Sequence, residues 1–151
     1  MGQTALEALR GLPFVEGMEP SHIERLAGMA KEVGFEEDQV IFREGETGRQ
    51  FYLVLTGKVA LEITTQKGPS RVLTVEQGHE FGWSFLLPTA GRYFRARAVE
   101  RVRALVFNGD DLNRACEQDA LFAYRLTKRV LRVVTERLEA VIVRFHDIHG
   151  S

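Results

Sequence analysis

The chain has 151 residues, 44% hydrophobic and 27% charged, which suits one globular domain and leaves little room for two. Lys and Arg total 20 against 21 Asp and Glu, a net charge of -1; this balance lacks the basic excess of a nucleic-acid footprint but leaves room for a local basic pocket. A single cysteine, Cys116, excludes an intrachain disulfide and a multi-cysteine metal or iron–sulfur centre, and Glu117 and Asp119 beside it disfavour a thiolate. No stretch has the layout of a signal peptide, and no apolar run approaches the ~20 residues of a membrane span. The expectation is a cytoplasmic protein without membrane contact.

The first part reads as helical. Ala5, Leu6 and Leu9 suggest a short helix ended by Gly11 and Pro13. A second begins near Pro20, which suits a first-turn position. Ile23, Leu26, Ala27 and Ala30 recur at helical spacing, with Gly34 as the stop. From about Val33 to Phe107 the pattern is that of strands. Val40-Ile41-Phe42 is apolar and β-branched, and Phe51-Tyr52-Leu53-Val54-Leu55 is the continuous run of a fully buried strand. Val59, Leu61 and Ile63 alternate with Lys58, Ala60 and Glu62, as in a half-buried strand. Lys67-Gly68-Pro69-Ser70 is turn chemistry, followed by Val72-Leu73-Thr74-Val75 and a turn at Gly78. Phe94, Ala96 and Ala98 form an inward set, which Arg92 shares by parity; Arg95, Arg97, Arg101 and Arg103 read as a solvated face. Many short strands with glycine turns predict a sandwich or barrel, and protection of edges favours a closed roll.

The last part reads as helix. Asp110 or Asp111 caps a lead-in helix through Cys116, and no Gly or Pro interrupts the chain from about Asp119 to Ile148. A helix of that length spans about 45 Å, longer than a small barrel needs. Leu131, Val134, Leu138, Val141, Phe145 and Ile148 step by three and four, a seam for pairing with a second copy over about two and a half heptads. Phe122, Leu126, Val130 and Val133 form a second apolar set for the barrel.

The stretch from Val40 to Gly57 holds Gly45, Gly48 and Gly57 around a buried strand, and Gly78-His79-Glu80-Phe81-Gly82 follows. Over about Leu12 to Val141 the chain resembles the cyclic-nucleotide-binding domain family of catabolite activators, protein kinase A regulatory subunits and cyclic-nucleotide-gated channels. The resemblance implies a mainly β fold: an eight-stranded β-roll (a jelly roll, or double-stranded β-helix) over residues 33–109, an N-terminal helical segment over 1–32, and C-terminal helices over 110–151. It places a phosphate-binding cassette at residues 81–92, with ligand contacts at Gly82, Trp83, Ser84, Phe85, Arg92 and Tyr93. The physical case for a small anion is independent. A short helix offers unbonded N–H groups at its start, and Arg92 supplies a permanent charge with a fork of donors.

The cassette departs from the family pattern. Trp83 stands where the family has a glutamate that accepts the ribose 2′-hydroxyl, a bond an indole cannot accept. The bulky Tyr93-Phe94 pair follows Arg92 where small residues are usual. In compensation, Ser84 offers a hydroxyl and Trp83 a stacking face. Two readings stay open: a sensor for a cyclic nucleotide such as cAMP or cGMP, or a related anion, signalling to a downstream protein; and a degenerate scaffold that binds no small molecule. Arg125, Thr127 and Arg132 are candidate contacts from the long helix, and nothing selects among them.

Other classes find no support. His22, His79, His146 and His149 have no strand spacing for a cupin-type metal site, and only His79 falls in the roll, where an axial haem ligand stays conceivable. No nucleophile elbow, triad or Walker loop is present, so no enzyme is expected. No helix-turn-helix follows the long helix before Ser151, so this chain is not expected to read DNA itself.

Overall fold

A computed structural model describes residues 4–46, 49–86, 92 and 94–149, with backbone only for Ser84, Leu86 and His149. Helix α1 (Ala5–Arg10) opens on a capping box: Thr4 Oγ1 accepts from the Glu7 N–H and the Glu7 carboxylate accepts from the Thr4 N–H. A 3₁₀ turn (Pro13–Val15) leads to α2 (Pro20–Met29), with Pro20 in its first turn. Gly34 does not end this helix. The chain turns extended at Ala30 and Gly34 lies inside β1 (Ala30–Phe35), paired with Arg103. Pairing with the strand Val102–Asn108 overrides the helical spacing there.

The roll continues through β2 (Val40–Phe42), β3 (Gln50–Thr56), β4 (Val59–Thr65), β5 (Gly68–Val75), β6 (Glu80–Phe81), a 3₁₀ turn (Trp83–Leu86), β7 (Arg95–Ala98) and β8 (Val102–Asn108). Two antiparallel four-stranded sheets result, in the orders β1-β8-β3-β6 and β2-β7-β4-β5. The unbroken apolar run in β3 has a physical reason. Tyr52 and Val54 face the space between the sheets, with Val59, Leu61, Phe81, Ala96 and Ala104. Phe51 and Leu53 face the other way and pack with Phe85, Phe107, Phe122 and Leu126 against the helices. One strand serves two cores because alternate side chains leave opposite faces.

Two strand readings change. β4 is not half-buried: Ala60 and Glu62 are buried with Val59 and Leu61, while Ile63 is exposed. The β4–β5 pairing shifts after Leu61, from Leu61 opposite Leu73 to Glu62 opposite Arg71, which leaves Val72 of β5 as the extra residue and keeps the alternation of β4; Glu62 is buried on the outer face because Arg95 and Arg97 of β7 cover it. The turn is only Gln66 and Lys67; Gly68-Pro69-Ser70 already pair in β5.

Helix α3 (Gly109–Gln118) is capped by Asn108, whose side chain accepts from the N–H groups of Asp110 and Asp111. Those aspartates occupy the first turn instead of the cap, where their charge still suits the helix dipole. Helix α4 (Ala120–His149) is continuous past His146 to its last described turn. Phe122, Leu126, Val130 and Val133 are its buried stripe. Leu131, Leu138, Phe145 and Ile148 are exposed, while Val134 and Val141 are half-buried and Val134 also packs on the core. Among the described residues no helix is long and apolar enough to cross a membrane.

Candidate functional site

The roll holds a pocket lined by Phe42, Leu61, Phe81, Gly82, Trp83, Arg92, Phe94 and Arg137. Gly82 closes β6 at φ 87°, a conformation favouring glycine. A Cβ there would stand 2.7 Å from the Gln50 carbonyl oxygen and 3.0 Å from an Arg92 guanidinium nitrogen. The missing side chain is what admits the arginine.

Arg92 is only 7% exposed. It donates to the Gln50 carbonyl at 2.6 Å, and its guanidinium lies 4.1 Å from the centre of the Phe42 ring. Its main chain is held by two bonds to the loop at 45–46: the Gly45 N–H donates to the Arg92 carbonyl and the Arg92 N–H to the Glu46 carbonyl, each at 2.8 Å. Burial draws its pKa down, against the nearby Tyr52 and Glu46; an arginine nonetheless stays charged. On the other side of Arg92 lies a wider groove of about 340 Å³, lined by Glu46, Arg49 and Tyr52 among others.

Trp83 is half-buried at the pocket wall. Phe85 does not line it; its fully buried ring packs 5.2 Å from Phe51 in the helical core, and its carbonyl accepts from Asn113. In the tight turn from Trp83 to Leu86, only part of the chain can face the roll. Ser84 follows Trp83, but its side chain lies outside the described set, as do Tyr93, residues 87–91 of the cassette, and Gly48.

The helix contact to the pocket comes from further along α4 than the three candidates. Thr127 and Arg132 are exposed, Arg125 pairs with Glu19 at 3.5 Å, and none lines the roll pocket. Arg137 does, and it donates to the Glu80 carbonyl. Burial lowers its pKa, against the charges of Glu80 and Glu136. The Glu80 carboxyl, 5% exposed, is pushed up by burial, against the charges of Arg137 and His79. A signal for Arg137 existed: it follows Val130 and Val133 by seven and four residues, so it continues the buried stripe where an apolar residue is expected.

Arg95 and Arg97 are not a solvated face. Both clamp the buried Glu62, at 2.7 and 3.2 Å, and Arg97 also reaches Asp38 at 2.8 Å. Arg101 and Arg103 are exposed and pair with Glu36 and Glu32. His79 is exposed beside the Gly78 turn, and among the described residues no group of His, Cys, Asp and Glu is set to hold a metal ion.

The profile of the cyclic nucleotide-binding domain matches residues 32–119. The chain belongs to the cyclic nucleotide-binding domain family. It is 31% identical over 134 residues to an acetyltransferase, Pat, of Mycolicibacterium smegmatis, covering 89% of this chain and 39% of that protein. It is 29% identical to a CRP-like cAMP-activated global transcriptional regulator of Mycobacterium tuberculosis, covering 87% of this chain and 58% of the regulator. The chain therefore spans well under two thirds of both relatives. A cyclic nucleotide-binding domain from Methylobacillus flagellatus shares the fold with a TM-score of 0.83 at 18% identity, over 98% of this chain and 84% of that one. As a cyclic nucleotide-binding domain, the chain presents Trp83 and two guanidinium groups to its pocket.

Proposed function

We propose that this cyclic nucleotide-binding domain is a ligand-sensing regulatory module that holds a cyclic nucleotide, or a related small anion, against Arg92. The observation that carries the reading is the buried Arg92 guanidinium in an aromatic-lined pocket. A permanent charge with fork geometry there suits a phosphate. The cavity volume is about 20 Å³, room for about one water. A nucleotide must therefore part Trp83 or α4 from the roll. Because Arg137 joins α4 to the pocket wall, that parting moves the helix, and two conformations with different ligand affinity make a switch.

The three segments divide the work: residues 1–32 pack the helices, 33–109 hold the ligand and 110–151 carry the response. The exposed Leu131, Leu138 and Phe145, with Val134 and Val141 beside them, join two copies along α4, and a protein partner reads the change. The module itself is regulatory and cytoplasmic in this reading, and catalysis or DNA binding belongs to what it controls. The small cavity and Trp83 favour the second reading, a scaffold that dimerises without a ligand.

Trp83 is the sole tryptophan and lines the pocket, so its fluorescence reports occupancy. Saturable change with cAMP or cGMP that disappears in Arg92→Ala supports the sensor. No change with either, nor heat on titration, leaves the scaffold.

A further inference from the structure

Arg125, Lys128, Arg129 and Arg132 share one flank of α4, because steps of three and four return to the same face of a helix. The stripe is about 10 Å long. With Tyr124 it lines a groove of about 280 Å³ that shares no lining residue with the roll pocket. Lys128 and Arg132 are exposed, and Arg129 is half-buried, donating to the Phe14 carbonyl at 2.8 Å. Among the described residues only Arg125 of the four has an ion pair, with Glu19 at 3.5 Å. Burial lowers the Arg129 pKa, and the charges of Arg132 and Arg125 lower it further, against Glu16. In a chain of net charge -1, positive charge is concentrated here beyond what its own carboxylates meet. A partner of opposite charge relieves that repulsion.

The groove adjoins a notch of about 100 Å³ that also uses Arg129 and Arg132, with Pro13, Phe14 and Val133 as the apolar part of its wall. A phosphate chain would use the stripe and leave that wall bare. A polypeptide with acidic residues and an apolar neighbour uses both. An extended segment rises about 3.3 Å per residue, so acidic side chains at alternate positions fall about 7 Å apart, within the length of the stripe. We propose that this flank of α4 is the docking groove for an acidic segment of a partner protein, which sets its carboxylates on Arg125, Lys128, Arg129 and Arg132 and an apolar side chain in the notch. The proposal names the partner's chemistry and needs no ligand at Arg92.

The test is fluorescence anisotropy of labelled synthetic peptides with the full chain. One peptide alternates Glu with Ser and ends in Leu, a second has Gln for every Glu, and a third has Ser for the Leu. The first should bind saturably, the second about tenfold or more weaker, and the third weaker than the first. Added salt should lower the affinity. Lys128→Glu with Arg132→Glu should abolish binding, and both side chains are exposed, so the fold is kept. Arg101→Glu, a reversal of an exposed charge on the roll, should leave binding unchanged, as should Arg92→Ala. No binding of the first peptide up to about 1 mM, equal binding of either control peptide, or an affinity that the double variant leaves unchanged overturns the proposal. Oligothymidylate or inorganic triphosphate matching the first peptide would make the stripe a general anion surface, and capture by phosphatidylserine vesicles without peptide binding would make it a membrane surface; each overturns it. A mass of two chains that the double variant reduces to one assigns the stripe to a second copy instead. Loss of peptide binding in Arg92→Ala would place the peptide in the roll pocket and overturn the groove, while the reading of Arg92 as the ligand site stands or falls on its own titration.

Discussion

Arg137 of α4 donates a hydrogen bond to the main-chain carbonyl of Glu80, immediately upstream of Phe81 and Gly82 in the pocket wall. This contact ties the long helix to the strand that leads into the ligand site. Arg137→Ala removes it and leaves a buried carbonyl to find another partner, a loss of about 1–3 kcal/mol. Hydrogen exchange should quicken in β6 and in the second half of α4, with little change in β4 and β5. Uniform protection equal to the wild type would mean the contact does not hold the helix.

Gly82→Ala should cost more than its single methyl suggests. The added Cβ meets the Gln50 carbonyl at 2.7 Å, and φ is 87°. A non-glycine residue in that region carries about 1–3 kcal/mol of strain. Thermal melting should show the loss, and ligand affinity should fall with it because Arg92 must shift. A melting temperature at the wild-type value would contradict this geometry.

Two buried glutamates give opposite pH dependence. Burial alone would raise the Glu62 carboxyl, but hydrogen bonds from Arg97 and Arg95, with their charges, carry it below its ordinary 4.5. Its stabilisation is therefore complete above 4.5 and is lost as pH falls through the lower folded value. Burial raises Glu80 above 4.5, so stability linked to its neutral form is complete below 4.5 and is lost as pH rises through the folded value. Glu62→Gln should flatten the acid limb of a melting-temperature profile, and Glu80→Gln the limb above 4.5. The same limb responding to both substitutions would refute the assignment.

Much of this was legible in the sequence. Phe122, Leu126, Val130 and Val133 were readable as a buried stripe because helical periodicity alone sorts the faces of an isolated helix. Arg92 was readable as inward because strand parity extends to it from Ala96 and Ala98. What periodicity does not carry is tertiary register. Arg137 reaches the pocket only because α4 lies along the roll at one particular offset, and nothing local sets that offset. Glu62 keeps its place in the alternation of β4, on the outer face, and its burial is not legible there because the arginines that cover it, Arg95 and Arg97, come from another strand. Gly34 looked like a helix stop because a glycine in a strand and one after a helix look alike until the strand finds its partner.

The outer face of α4 gives a test of association. Leu138 and Phe145 are 57% and 63% exposed in the single chain, large apolar surface that a partner helix would cover. Light scattering should give the mass of two chains, and Leu138→Asp or Phe145→Asp should reduce it to one while the roll still melts cooperatively. A wild-type mass of one chain would remove pairing from the mechanism.

The central claim is that the roll binds an anion at Arg92, and calorimetric titration of the wild type beside Arg92→Ala tests it most directly. A cyclic nucleotide that saturates one site per chain in the wild type, and gives no heat with a folded Arg92→Ala, is the predicted result. Equal affinity in the two proteins, or no binding in the wild type, would contradict it.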